Sequence, residues 1–164
     1  MGSGFLERMV DTTGVSFVAR EYAPADRAAL LAMYDGFEPK RAAQGLPPAG
    51  APRIGRWLDH VLARGRHLVV EVNGQVCGHV MLIPLEDGKV ELANFLHQSI
   101  RGRGIGTAMN RLAIRLAHES GAERIWLSVE PGNRAAVRSY QKAGFKQLGG
   151  SLWAPEIEMA VSFL

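Results

Sequence analysis

The chain is 164 residues long, with 47% hydrophobic and 21% charged residues and a formal net charge of +3 at pH 7. This length and composition fit one compact globular domain, and two full domains would be cramped. The sequence has no apolar run long enough to cross a membrane, no secretory signal and one cysteine, Cys77, which excludes a disulfide framework within the chain. We expect a cytoplasmic protein without a membrane partner, and the positive charge favours anionic partners such as phosphates.

The first part of the chain is predicted to contain one strand and two helices. Residues 1–14 contain glycine and serine and are predicted to form a flexible segment before a single domain of residues 15–164. Alternating residues predict a strand over 15–23, and apolar residues at helical spacing predict a helix directly after it. The stretch 36–52 carries four prolines, which predicts a mobile or ligand-binding loop. A second helix is predicted over about 54–64.

The centre of the chain has the pattern of an antiparallel meander. Strands are predicted over 66–72, 75–85 and 89–97, and the dipeptides between them, Asn73-Gly74 and Asp87-Gly88, are typical of hairpin turns. A glycine-rich stretch, an amphipathic helix, a strand, a short helix and two last strands follow. This order predicts an α/β protein with one mixed sheet of about seven mostly antiparallel strands and helices on both faces.

The stretch RGRGIGT joins the third meander strand to the next helix. It consists of Arg101, Gly102, Arg103, Gly104, Ile105, Gly106 and Thr107. A glycine-rich turn that opens a helix aims several backbone N–H groups and the positive helix end at one point, which suits a pyrophosphate. Arg101 and Arg103 can pair with further phosphate oxygens. Taken alone, the stretch also fits a plain helix start with solvated arginines. Its G-x-G-x-G spacing disfavours a dinucleotide-binding Rossmann site, and the lack of a lysine there excludes a P-loop.

Two motifs together carry a family resemblance. Arg101, Gly104 and Gly106 match a coenzyme A signature of Gln or Arg, two residues, Gly, one residue, then Gly or Ala. A second signature follows about thirty residues later in NRAAVRSYQKAGF. Its matching residues are Asn133, Ala136, Tyr140, Gly144 and Phe145. With both motifs in this order, the chain resembles the GCN5-related N-acetyltransferase (GNAT) superfamily over roughly residues 15–164.

The resemblance implies a GNAT-like acyl-CoA N-acyltransferase fold with a splayed central strand pair and the pantetheine arm of coenzyme A in the gap. Phe95, Leu96 and His97 would supply backbone contacts near the thioester. The amides of residues 101–107 would take the pyrophosphate, and Asn133 would contact the arm. An unpaired strand edge is a natural template for such an amide-rich ligand.

The resemblance also implies an activity, which is transfer of the acetyl group of acetyl-CoA to a primary amine of a small molecule or peptide. Tyr140 would protonate the departing thiolate, and Glu91 would accept the amine proton through a water. A structural strand carboxylate explains Glu91 equally well. Ser128 stands where members that acetylate ribosomal protein N-termini often carry glutamate, which disfavours that activity. Gln98 stands where many members have proline.

Acceptor recognition in this family usually comes from the loop between the first two helices and from the late strands. Here the loop is 36–52, and its candidate residues with those just beyond it are Phe37, Lys40, Arg41, Arg53 and Trp57. Their positive charges suggest an acceptor with a carboxylate or phosphate, although a solvated loop explains them equally well.

The sequence also bears on metal binding, on alternative functions and on oligomeric state. The five histidines lack metal-ligand spacing, so no metal is predicted. A non-catalytic acyl-CoA-binding regulatory module is the alternative function. A basic nucleic-acid-binding domain is a weaker one, because the arginines are scattered and no aromatic residues lie between them; we therefore expect no nucleic-acid partner. A homodimer is compatible with the sequence.

Overall fold

A computed structural model of the protein describes residues 4–39, 47–149 and 153–164. In these residues a single mixed sheet has the strand order β1-β2-β3-β4-β5-β6-β8-β7. The strands are β1 (Leu6–Val10), β2 (Ser16–Glu21), β3 (Arg66–Val72), β4 (Gln75–Pro84), β5 (Lys89–Leu96), β6 (Arg124–Val129), β7 (Lys146–Leu148) and β8 (Ile157–Ser162). The α-helices are α1 (Arg27–Asp35), α2 (Ala51–Leu62), α3 (Ile105–Glu119) and α4 (Arg134–Ala143).

Helices cover both faces of the sheet, as predicted, and each face has its own apolar cluster. Helices α1 and α2 bury residues such as Leu30 and Leu58 against one face of β3, β4 and β5. Helix α3 buries Met109 and Leu112 against the other face, and α4 packs partly buried residues such as Val137 on the same cluster. Alternation along the strands therefore decides which helix pair each side chain meets.

The predicted meander is confirmed in β3, β4 and β5, which pair in antiparallel fashion. Its two turns place consecutive residues at positive φ, 52° and 74° at Asn73-Gly74 and 59° and 70° at Asp87-Gly88. Two-residue hairpin turns of type I′ need this backbone conformation, and Asn, Asp and Gly adopt it most easily. These local requirements are why the sequence predicts the turns.

The described part of the sheet has eight strands, whereas the sequence analysis predicts about seven. The additional strand is β1, which lies within the segment 1–14 that was expected to be flexible. It pairs with β2 from Leu6↔Arg20 to Val10↔Ser16. Its exposed positions include the apolar Leu6 and Val10, so the sequence lacks the apolar-in, polar-out alternation by which a half-buried strand is recognised.

The central strand pair β5 and β6 is splayed. These neighbours run parallel, but their pairing comprises only Lys89↔Arg124, Val90↔Ile125 and Glu91↔Trp126. Beyond Glu91, the remainder of β5 continues to Leu96, and no strand among the described residues pairs with it on that side. The sheet therefore opens into a cleft, here called the strand cleft, between the ends of β5 and β6.

Two further observations concern membrane-spanning helices and the predicted acceptor loop. Within the described residues, no helix combines the length and the apolar character needed to span a membrane. The acceptor-loop residues Lys40 and Arg41 lie outside the described residues. Of the other candidates there, Phe37 is buried against α1 and α2, Trp57 is partly buried on α2, and Arg53 is exposed.

Candidate active site

The glycine-rich stretch lies at the mouth of the strand cleft. After β5, a single 3-10 turn over Gln98–Ile100 leads into residues 101–104, and α3 then begins with the buried Ile105. Gly102 and Gly104 have φ values of 76° and 79°, a left-handed conformation that costs glycine little. The backbone N–H groups of residues 102–107 donate no hydrogen bond to the part of the chain that is described. A row of six free donors at a helix start is suited to an anion.

The turn between β1 and β2 holds the glycine-rich stretch in place. The backbone N–H of Thr12 donates to the carbonyl of Arg103 at 2.9 Å, and the Nε of Arg103 donates to the Oδ2 of Asp11 at 2.7 Å. A hydrogen bond from the Thr13 hydroxyl, with others from the Val15 backbone and Arg103, keeps the pKa of Asp11 far below its usual range. Arg103, expected from the sequence to face a phosphate, thus uses its Nε for an internal ion pair.

Arg101 is also engaged within the protein. Its Nε donates to the carbonyl of Leu96 at 3.0 Å, and its Nη2 donates to the carbonyl of Glu38. The guanidinium carbon lies 5.0 Å from the centre of the Phe37 ring, within the range of a cation–π contact. Arg101 therefore ties the end of β5 to the segment that follows α1, which was predicted to contact the acceptor.

Gln98 strengthens the same connection. Its Nε2 donates to the carbonyl of Gly36 at 2.6 Å, and its Oε1 accepts from the backbone N–H of Glu38 at 3.0 Å. The side-chain amide thus brackets the chain after α1 much as a neighbouring strand would. Glutamine at this position therefore makes two contacts that a proline side chain cannot make.

Phe95 and His97 have side chains that contact the protein rather than the cleft. The Phe95 ring is buried and packs edge-to-face on Tyr34, Phe37 and Trp57, with centroid distances of 5.8 to 5.9 Å. His97 accepts from the backbone N–H of Ser99 through its Nδ1. Only backbone groups were assigned to the coenzyme at these positions, and these side-chain contacts anchor that backbone at the cleft edge.

Tyr140 lies on α4, packed against the apolar cluster beneath α3 and α4. Its ring meets that of Phe145 at 5.7 Å, and its hydroxyl forms no hydrogen bond with the described residues. Burial raises the pKa of Tyr140 to about 12, so the hydroxyl keeps its proton at neutral pH. At the start of the same helix, the side-chain oxygen of Asn133 caps α4 by accepting from the Ala136 N–H at 3.3 Å.

Glu91 lies at the point where the cleft opens, because it is in the last residue pair between β5 and β6. Burial raises the pKa of Glu91, nearby Glu156 acts in the same direction, and Lys89 opposes the shift. Its neighbours Val90 and Leu92 face α3 and α4, so alternation directs Glu91 to the opposite face. The predicted acid Tyr140 and the predicted base Glu91 therefore lie on opposite sides of the opened strand pair.

Two polar networks were missed by sequence reasoning. One joins Asn94, Asn110 and Ser139 across β5, α3 and α4. The other is buried under α1, where the Tyr34 hydroxyl meets His79 Nδ1 at 2.6 Å and His79 Nε2 meets His67 Nδ1 at 2.9 Å. A polar Asn110 within the apolar stripe of α3 was the available signal for the first network. Across the described residues, no three His, Cys, Asp or Glu side chains come together as a metal site would require.

Comparisons with known proteins agree with this architecture. A family model described as the acetyltransferase (GNAT) family matches residues 30–145. An uncharacterised N-acetyltransferase of Mycobacterium tuberculosis is 34% identical over 113 residues, which cover 61% of this chain and 72% of that protein. A mycothiol acetyltransferase of Corynebacterium glutamicum is 42% identical over 50 residues, 30% of this chain and 17% of that protein.

Two solved structures show the same fold. The GNAT domain of a protein named PAT from S. lividans has a TM-score of 0.77 at 18% identity, covering 96% of this chain and 97% of that one. An acetyltransferase from Salmonella typhimurium, solved with its cofactor acetyl-CoA, has a TM-score of 0.68 at 21% identity, covering 89% of this chain and 93% of that one.

Proposed function

The chain belongs to the acetyltransferase (GNAT) family, and from this premise we propose that it transfers the acetyl group of acetyl-CoA to a primary amine of a small molecule or peptide. Attack is direct, in a ternary complex. The observation that carries the proposal is the row of N–H groups at residues 102–107, which have no partner among the described residues and lie at the mouth of the strand cleft. A pyrophosphate offers oxygens for this row, and the cleft then receives the arm attached to it.

The strand cleft suits the arm of coenzyme A for a second reason. Past Glu91, the β5 edge has no partner strand on the β6 side, and an open strand edge binds an amide-bearing chain as it would bind another strand. In this proposal Phe95, Leu96 and His97 supply those backbone groups. Arg101 and Arg103 hold the glycine-rich stretch 101–107, here called the cradle, in shape through Leu96, Glu38 and Asp11, which refines their expected role as direct phosphate partners.

In this proposal the base and the acid of the reaction lie on opposite faces of the sheet. Acetyl-CoA supplies an activated thioester, the amine attacks it in its neutral form, and the nitrogen loses one proton as the amide bond forms. Glu91, on the α1 and α2 face, accepts that proton through a water when its carboxylate is ionised. Tyr140, on the α3 and α4 face, donates to the sulfur as negative charge develops there. Because its pKa of about 12 lies above that of a thiol, Tyr140 stays protonated and stabilises the departing thiolate by donating a hydrogen bond to it as the bond to carbon breaks.

The structure favours an amine acceptor that enters from the side of α1 and α2. Glu91 faces that side, and the segment Gly36–Glu38 is fixed there by Gln98 and Arg101. Two relatives, one an N-acetyltransferase and the other a mycothiol acetyltransferase, support transfer to nitrogen or to a small metabolite. The acceptor class in the proposal is therefore a small molecule or peptide with a free amine.

The test is thiol release from acetyl-CoA over a panel of primary amines, with mass spectrometry of the acetylated product. Tyr140→Phe should lower kcat about 100-fold, a common effect of removing a general acid, while CoA affinity changes little. Tyr22→Phe is the matched control, because the Tyr22 hydroxyl makes no hydrogen bond to the described residues. Unchanged turnover in Tyr140→Phe would remove the acid assignment. Tight CoA binding without turnover on any amine would favour the non-catalytic acyl-CoA-binding module.

A further inference from the structure

A chain of side-chain hydrogen bonds crosses the protein beneath the strand cleft. The Nδ2 of Asn94 on β5 donates to the Oδ1 of Asn110 on α3 at 2.9 Å. The Nδ2 of Asn110 donates to the Oγ of Ser139 on α4 at 3.0 Å. Ser139 in turn lies 3.1 Å, oxygen to oxygen, from the hydroxyl of Thr107 in the cradle. The network thus joins the cleft edge, the cradle and the helix that carries Tyr140.

One atom of this network is left without a partner. The Oδ1 of Asn94 is buried and accepts no hydrogen bond from any described residue. Buried carbonyl oxygens in proteins are nearly always paired, so such an exception calls for an explanation. Because the Nδ2 of the same amide is already committed to Asn110, the free position is an acceptor, and the group that satisfies it must be a donor.

The location of the Asn94 oxygen indicates which molecule can supply the hydrogen-bond donor. Asn94 lies in the part of β5 beyond the last pair with β6, which is the open edge of the cleft. The start of α3 is close, since a Cβ atom at Gly106 would lie 3.5 Å from both Leu96 and Ser139. A ligand arm that passes from the cradle into the cleft must run past this point.

We propose that Asn94 is a further coenzyme-binding residue, whose side-chain oxygen accepts a hydrogen bond from an amide N–H of the pantetheine arm of acyl-CoA. The inference rests on the proposed function, because it takes acyl-CoA as the ligand of the cleft. The donors of the arm are its amide N–H groups and its hydroxyl, and the open β5 edge beside Asn94 suits the amides, whereas phosphate and thioester oxygens are acceptors and would repel the Asn94 oxygen. The bond to Asn110 fixes the amide so that the oxygen points one way.

The proposal is tested by comparing two ligands that differ in the arm. ADP carries a pyrophosphate and no pantetheine, whereas CoA carries both, so their dissociation constants separate the cradle from the cleft. Asn94→Leu should weaken CoA binding about five- to tenfold, the value of one hydrogen bond, and leave ADP binding unchanged. Gln147→Leu, which makes the same change of an amide to leucine at an exposed position of β7, is the matched control and should bind CoA within about twofold of the wild type.

Several outcomes would overturn the inference. Equal weakening of CoA and ADP by Asn94→Leu would show that the network only supports the cradle, and unchanged CoA binding would show that the oxygen meets no donor on the ligand. Asn94→Ala adds no volume and should reproduce the CoA-specific loss; thermal unfolding of each variant without ligand checks that it is folded. If the wild type binds neither CoA nor ADP, the proposed function itself fails, a result distinct from the others.

Discussion

Replacement of Tyr34 by phenylalanine tests the buried network under α1. The Nε2 of His67 faces the carbonyl of Arg64 at 2.7 Å and must therefore carry a hydrogen. In the neutral ring its Nδ1 is then an acceptor, which makes the Nε2 of His79 a donor and the Nδ1 of His79 an acceptor. The Tyr34 hydroxyl supplies the last donor at 2.6 Å. Every polar atom in this line is paired only while the hydroxyl is present.

The size of the effect follows from burial. Tyr34 and His79 are each 0% exposed, so in Tyr34→Phe no water replaces the lost donor at His79. An unsatisfied buried acceptor costs about 1–3 kcal/mol, which corresponds to a decrease in Tm of about 2–12 °C for a domain of this size. Urea unfolding of Tyr34→Phe should show this loss, and Tyr22→Phe should remain within about 0.5 kcal/mol of the wild type. A Tyr34→Phe variant as stable as the wild type would refute the assigned network.

The same network predicts how stability depends on pH. Burial lowers the pKa of His79 to about 3 from its ordinary 6.5, and it lowers the pKa of His67 as well. Below pH 6.5 the unfolded chain therefore binds a proton at each histidine that the folded protein does not bind. The free energy of unfolding therefore decreases as the pH is lowered. For His79 the fall is about 2 kcal/mol between pH 6.5 and pH 5. Urea titrations across this range should show that slope, and His79→Phe should reduce it; an identical slope would contradict the assignment.

Three further changes probe the site. Glu91→Gln should lower kcat about 100-fold. It should also remove the acidic limb of the pH profile, because wild-type activity is expected to fall as the pH drops through the raised Glu91 pKa. Glu86→Gln, in an exposed turn, is the control. Gln98→Ala should raise the acceptor KM about three- to tenfold, because two hydrogen bonds are lost, and should leave CoA affinity unchanged. A loss of CoA affinity alone would reject the role of Gln98 on the acceptor side. Asp11→Asn should weaken CoA binding by loosening Arg103, which a calorimetric titration would measure.

Local chemistry explains why much of the fold was predictable. The turns at Asn73-Gly74 and Asp87-Gly88 require positive φ, and helix α4 begins with the Asn133 cap and ends with Gly144 at φ 117°. Each of these signals is contained in a few consecutive residues. The strand β1 was missed because its pairing depends on β2 rather than on its own pattern.

The site was less accessible to sequence reasoning because its contacts join distant positions. Arg103 pairs with Asp11, 92 positions earlier, and the stretch RGRGIGT does not show whether an arginine faces a ligand or the protein. The Asn94–Asn110–Ser139 network and the buried pair of histidines require the sheet and helices to be assembled first. The catalytic roles of Tyr140 and Glu91 stay predictions, although the structure places Glu91 where the strand cleft opens.

The central claim is that residues 102–107 and the adjoining cleft bind coenzyme A, and a calorimetric titration of CoA tests it most directly. Gly106 lies in the first turn of α3, and a Cβ there would contact Leu96 and Ser139 at 3.5 Å without backbone strain. We predict that the wild type binds CoA, that Gly106→Val weakens binding at least about tenfold because its methyl groups crowd the start of α3 beside the cleft, and that Gly55→Val in α2 binds as the wild type does. CoA binding by Gly106→Val at wild-type strength, or none by the wild type, would contradict the account.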